Sequence, residues 1–167
     1  MYGIVEPILI VDDDKMVQET ILLAFENDPD KKCFVADSAQ MALQIIEEND
    51  IFVVITDIKM PELDGIELCK IISQMESSIS LIAMTGYKDV EKTPDLINIG
   101  VSYFLEKPFK LEELKKLTDK LVSDQILQEL EQRLIRNVAK HENHDLKYRE
   151  LSQKEKINFL MQLANKD

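Results

Sequence analysis

The sequence predicts a doubly wound parallel α/β sheet of five strand–helix units, followed by a helical extension. Three observations carry this. Short apolar runs alternate with helix-length amphipathic segments as far as Leu121. The runs are apolar throughout rather than every second residue, as in strands covered on both faces. Polar residues of matching chemistry follow four of the five runs, where an open α/β sheet places its site.

The five runs are Ile8–Val11, Cys33–Val35, Ile51–Ile55, Leu81–Met84 and Tyr103–Leu105. Each is short and rich in β-branched or aromatic residues, so each is expected to be a strand. Val17, Ile21, Leu22 and Phe25 recur at helical spacing within 15–27. Ser38 is placed to cap a helix carrying Met41, Leu43, Ile45 and Ile46. A third helix runs from Gly65 to Met75 with Ile66, Leu68, Ile71 and Ile72. Thr93-Pro94 reads as the cap and first residue of a short helix ending before Gly100. Leu111, Leu114, Leu117 and Leu121 mark a fifth helix.

A chain of 167 residues is expected to form one domain with an appendage. Residues 1–123 form the expected domain and 124–167 a helical tail. The formal charge of −12 falls entirely on residues 1–123, because the tail carries 8 basic and 8 acidic residues. Such an acidic domain repels phosphate backbones, so direct nucleic-acid binding is not expected of it. No window approaches eighteen apolar residues, so no membrane span is expected. The opening MYGIVEPILIVDDD lacks the marks of a signal peptide. With Cys33 and Cys69 as reduced thiols, the expected location is cytoplasmic.

The strand ends supply the chemistry. Asp12, Asp13 and Asp14 follow the first strand, Asp57 the third, Thr85 and Gly86 the fourth, and Lys107-Pro108 the fifth. Carboxylates converging on one rim repel unless a cation compensates them. Hard oxygen donors favour Mg²⁺. Carboxylate, divalent ion, ammonium and hydroxyl are the parts needed to pass a phosphoryl group to an acid.

The segments ILIVDDD, VVITDIKMPELDG, LIAMTG and SYFLEKPF, in this order, resemble the receiver domain of two-component response regulators. The resemblance covers residues 7 to about 121 and implies the (βα)5 flavodoxin-like fold. It implies that Asp57 accepts a phosphoryl group from a phosphohistidine. Asp12, Asp13, Asp57 and the main-chain carbonyl of Lys59 would hold Mg²⁺. Lys107 would pair with the phosphate, Thr85 would hydrogen-bond it, and Tyr103 would turn inward as the switch aromatic. Pro108 would follow a cis peptide bond. The implied partners are a sensor histidine kinase or a histidine phosphotransfer protein, and a downstream protein target. No turnover enzyme is expected, only self-catalysed phosphoryl acceptance and slow autodephosphorylation. Lys59 and Tyr87 depart from the commonest family residues and flank the path of the hydrolytic water.

Asp12-x-Asp14 is also similar to the haloacid-dehalogenase-like phosphatases, with Asp12 as nucleophile. Met16 breaks that pattern, no acidic pair follows a later strand, and Asp57 would have no role. In the tail, Ile126, Leu127, Leu130, Leu134, Ile135 and Val138 form an apolar stripe. The last domain helix is expected to continue or restart there and to serve interaction or homodimerisation. Ser152-x-x-Glu155 is a capping box before a short helix, and His141-x-x-His144 reads as a solvated turn. LSQKEKINFLMQLANKD is similar to the opening of a LuxR-type helix-turn-helix, without its recognition helix. The remaining alternative is therefore the N-terminal part of a DNA-binding response regulator.

Overall fold

A computed structural model describes residues 5–61, 65–75, 78–86 and 98–138, with Ser152, Glu155 and Lys156; for 134–138 it describes the backbone alone. Five strands, β1 (Glu6–Val11), β2 (Lys31–Ala36), β3 (Val53–Asp57), β4 (Ser80–Gly86) and β5 (Tyr103–Lys107), form one sheet. All neighbours are parallel, in the order β2-β1-β3-β4-β5. The helices are α1 (Lys15–Leu23), α2 (Ala39–Glu48), α3 (Gly65–Ser73) and α4 (Leu111–Val138). This is the expected doubly wound, flavodoxin-like (βα)5 sheet with a C-terminal helical extension.

Alternation along the strands sends successive side chains to opposite layers. Leu9, Val11, Val54, Leu81 and Ala83 pack with Ala39 and Ala42 of α2 and Leu68, Cys69 and Ile72 of α3. Ile8, Ile10, Val53, Ile55, Ile82, Met84 and Leu105 form the other row. Because both rows are fully buried, the interior of β1, β3 and β4 is apolar and polar residues gather at their ends.

Local chemistry sets the helix starts. Asp14 accepts the Met16 amide at 2.8 Å and Ser38 the Met41 amide at 3.4 Å, so each satisfies a first-turn donor. α1 stops at Leu23, short of the expected 27. Ala24, Phe25 and Asp28 instead donate to carbonyls three residues back. Pro29 disfavours helical backbone at Asp28, so the segment cannot extend as helix past Asn27. β3 begins at Val53 rather than Ile51, since the Ile51 amide turns back to the Asn49 carbonyl at 2.9 Å.

Asn98 and Ile99 are helical, and Gly100 follows at φ 92°. The start of that helix at Thr93-Pro94 lies outside the described residues, as do Asp64, Tyr87, His141, His144 and the helix expected after Glu155. α4 runs unbroken from Leu111 to Val138. Residues up to Val122 form one compact unit and those from Ser123 a second. In the second, the Ser152 amide donates to the Glu155 carboxylate at 3.0 Å, one half of a capping box.

At the amino ends of the strands, Lys31 bonds both Glu6 and Asp119 of α4, with its side chain only 4 % exposed. Lys115 of α4 bonds Asp28 at 3.2 Å. Burial alone would lower the Lys31 pKa, but its two carboxylate partners outweigh burial and raise it above the ordinary 10.5. A lysine raised in the folded chain stabilises it below its unfolded pKa and stops doing so as pH rises through the folded one. Lys31→Met should therefore cost about 1–2 kcal/mol in urea unfolding at neutral pH, because the freed carboxylates are partly hydrated. That deficit should narrow only above about pH 10.5; a deficit that closes near pH 8 would show that the ammonium is not its source.

Candidate functional site

In register, Ile10 of β1 faces Ile55 of β3, Ile55 faces Ile82 of β4, and Met84 faces Leu105 of β5. Two residues further along the same row stand Asp12, Asp57, Gly86 and Lys107. One buried row of the sheet thus ends in two carboxylates, a bare backbone and an ammonium. Gly86 pairs with Lys107 and presents no side chain between Lys107 and β3. The lysine can therefore cross β4, and its Nζ lies 3.0 Å from Asp12 Oδ2 and 3.1 Å from Asp57 Oδ1.

Asp12 is almost fully buried, Asp57 is half-buried and Asp13 is exposed. One carboxylate oxygen from each of Asp12, Asp13 and Asp57 lies within 4.8 Å of the others. Burial pushes the Asp57 pKa up and the Asp12 charge adds to this, while Lys107 opposes both; the net direction is upward. Burial would lower the Lys107 pKa, but Asp12 and Asp57 together raise it. Three carboxylates against one ammonium leave a negative balance in a partly dry site. A small, hard divalent cation matches that donor set.

The remaining expected residues are placed as follows. Thr85 is buried at the end of β4, in register with Glu106. Lys59 is exposed two residues past Asp57. The Lys107–Pro108 bond is cis. Tyr103 is half-buried, and its hydroxyl bonds the ammonium of Lys120 on α4, which lies 5.1 Å from the ring centroid. Asp14 serves as the α1 cap.

Sequence reasoning missed Lys120, because nothing local links residues 103 and 120. It also missed the steric roles of Gly86 and Gly65. A Cβ on Gly65 would stand 2.0 Å from the main-chain oxygen of Asp57. The Gly65 amide donates to the Ile58 carbonyl at 2.8 Å, so α3 begins in direct contact with the turn that carries Asp57. The Thr56 hydroxyl also donates to the Asp57 carbonyl, at 2.9 Å.

A family model of the response regulator receiver domain matches residues 8–119, and the chain belongs to that family. It is 33% identical over 114 residues to the regulatory protein AtoC of Escherichia coli, covering 68% of this chain and 24% of that protein. It is 27% identical over 125 residues to the transcriptional regulatory protein FixJ of Bradyrhizobium diazoefficiens, covering 69% of this chain and 56% of that one. The chain thus spans from a quarter to just over half of these curated relatives. Among solved structures, a response regulator receiver domain protein from Clostridium thermocellum superposes with a TM-score of 0.69 at 28% identity, over 74% of this chain and 99% of that chain. The receiver domain of a Luxo repressor protein from Vibrio parahaemolyticus gives 0.71 at 25% identity, over 75% and 96%. No described helix is long and apolar enough to cross a membrane.

The contact at Gly65 sets a steric test. Gly65→Ala should lower the unfolding free energy by about 2–3 kcal/mol, since rigid backbone must move to admit the methyl group. Urea denaturation reads this, and backbone amide shifts at Asp57 and Ile58 should move with it. A variant of wild-type stability would mean that the start of α3 shifts freely.

Proposed function

We propose that this chain receives a phosphoryl group on Asp57 from a phosphohistidine of a sensor histidine kinase or phosphotransfer protein, and that the modified site switches a protein-binding surface. The observation that carries this reading is the Lys107 ammonium held by both Asp12 and Asp57, with Asp13 beside them. An Asp57 carboxylate oxygen attacks phosphorus and forms the O–P bond. The P–N bond breaks, its electron pair stays on the imidazole nitrogen, and that nitrogen is protonated from solvent. Lys107 lies where it can pair with the incoming phosphoryl oxygens. Catalysis here is positioning and charge neutralisation.

Asp12, Asp13 and Asp57, with the main-chain carbonyl of Lys59, would hold Mg²⁺. The ion, when bound, neutralises charge on the transferring group. Beside Lys107 opens a pocket of about 330 Å³ lined mainly by Met16, Val17, Thr20, Ile21 and Phe109. It suits apolar side chains next to a donor's phosphohistidine. Thr85 then bonds a phosphate oxygen and Tyr103 leaves Lys120 to turn inward, a shift between pre-existing states.

The receiver acts as a signalling module, and its own chemistry is limited to accepting the group and slowly releasing it to water. The output partner is a downstream protein. The domain that binds it is residues 1–123, and the tail from 124 serves homodimerisation. In support, Leu127 and Leu130 lie on one side of α4 and stay partly exposed in the single chain. Light scattering of the full chain should give a dimer mass that Leu130→Lys abolishes; a monomer in both cases ends the dimer reading.

Intact mass after incubation with Mg²⁺ and acetyl phosphate tests the site. One phosphoryl group should be gained, and none after Asp57→Asn or with chelator present. Steady phosphate release over many turnovers, dependent on Asp12 and not Asp57, would favour the phosphatase reading instead.

A further inference from the structure

Gln18 stands on α1, half-buried, six residues beyond Asp12. Its Nε2 donates to the Asp12 carbonyl at 2.6 Å and to the Ala36 carbonyl at 3.2 Å. A carboxamide nitrogen has two hydrogens, and both are used here on main-chain acceptors, which also fixes which end of the amide is nitrogen. The β1–β2 register runs to Val11 and Ala36. The Asp12 amide adds one further bond to Ala36, at 3.2 Å. Beyond it the chain must leave the sheet and turn into α1.

Gln18 holds that turn from both sides. Its side chain bonds the carbonyl of Asp12, and its main-chain amide bonds the carbonyl of Asp14 at 3.1 Å. Asp13 lies between those two carbonyls. The Asp12 carboxylate is pinned separately, by the Asp14 amide at 2.9 Å on Oδ1 and by Lys107 on Oδ2. With carbonyl and carboxylate both fixed, Asp12 has little freedom to rotate, and the direction in which Asp13 leaves it is set.

We propose that Gln18 is a positioning residue for cation binding: its amide clamps the Asp12–Asp14 turn so that the Asp12 and Asp13 carboxylates are already gathered before the ion arrives. This deepens the reading above and rests on it. Preorganisation of this kind raises affinity because the ion need not order the loop itself. The role requires a donor at this reach. Methionine has the length without the hydrogens, and glutamate would set a carboxylate against two carbonyl oxygens.

The test compares full-length wild type with Gln18→Met, using Leu22→Ala as a control that loosens α1 packing without touching the clamp. Calorimetric titration with Mg²⁺ alone should show a Kd roughly tenfold weaker for Gln18→Met, the effect usual for outer-shell partners. Leu22→Ala should bind as wild type does at similar or lower thermal stability. In metal-free protein, amide hydrogen exchange at Asp13 and Asp14 should quicken in Gln18→Met only. Wild-type affinity in Gln18→Met, or equal weakening in Leu22→Ala, overturns the proposal and leaves the Mg²⁺ reading standing. No Mg²⁺ binding by wild type, with Asp13→Asn indistinguishable from it, removes the Mg²⁺ reading and the proposal together.

Discussion

The ammonium of Lys107, shared between Asp12 and Asp57, is the interaction on which the rest of the site depends. It joins the carboxyl ends of β1, β3 and β5 across a sheet whose interior is apolar. Without it, two carboxylates on adjacent strands would face one another in partly buried surroundings, at the cost that burying unpaired charge carries. The fold makes the contact possible in two ways. Strand order brings β1 beside β3, where the chain's winding reverses and a crevice opens. Gly86 then lets the lysine pass over β4. One cation cannot balance three carboxylates, so the site remains negative and suited to a further positive ion.

Support for this cluster is built into the backbone beneath it. Gly65 brings α3 against the Asp57 carbonyl, and Thr56 bonds the same oxygen. The turn after β1 is closed by Gln18 and by the Asp14 cap. Asp57 is thus carried by the end of a strand, and Asp12 and Asp13 by a pinned turn. Such placement suits chemistry that relies on position rather than on a separate base.

Much of this was legible in the sequence, for physical reasons. Strands buried on both faces must be apolar throughout, so β1, β3 and β4 declared themselves as unbroken runs. Asp12 and Asp13 follow the first of those runs, Asp57 ends the second, and Lys107 ends β5. The clustering of Asp12, Asp13 and Asp57 required only the sheet order to follow. What stayed hidden depends on register or reach. That Gly86 faces Lys107 is a property of pairing between strands. That Gln18 turns back to Asp12 rather than to solvent depends on a rotamer, and the Lys120 bond to Tyr103 on how α4 lies on the sheet. The end of α1 was missed for a local reason, since apolar spacing continues to Phe25 after helical hydrogen bonding has stopped.

On the proposed reading, a change at one rim would reach α4 through contacts already present. Its first turns are fastened at the opposite end of the sheet, through Lys115 to Asp28 and Asp119 to Lys31. One residue past Asp119, Lys120 holds the Tyr103 hydroxyl. Tyr103 lies on β5 in the row that ends at Lys107. On the proposed reading, a ring that turns inward would give up the Lys120 bond. An exposed bond of this kind contributes about 1 kcal/mol, a few-fold change in population. That is a useful size for a switch, because a far stronger latch would need a correspondingly large differential affinity to reverse. On that reading the buried Lys31 anchor would hold while the exposed Lys120 contact yields, so α4 would register the state of the rim while staying fixed to the sheet.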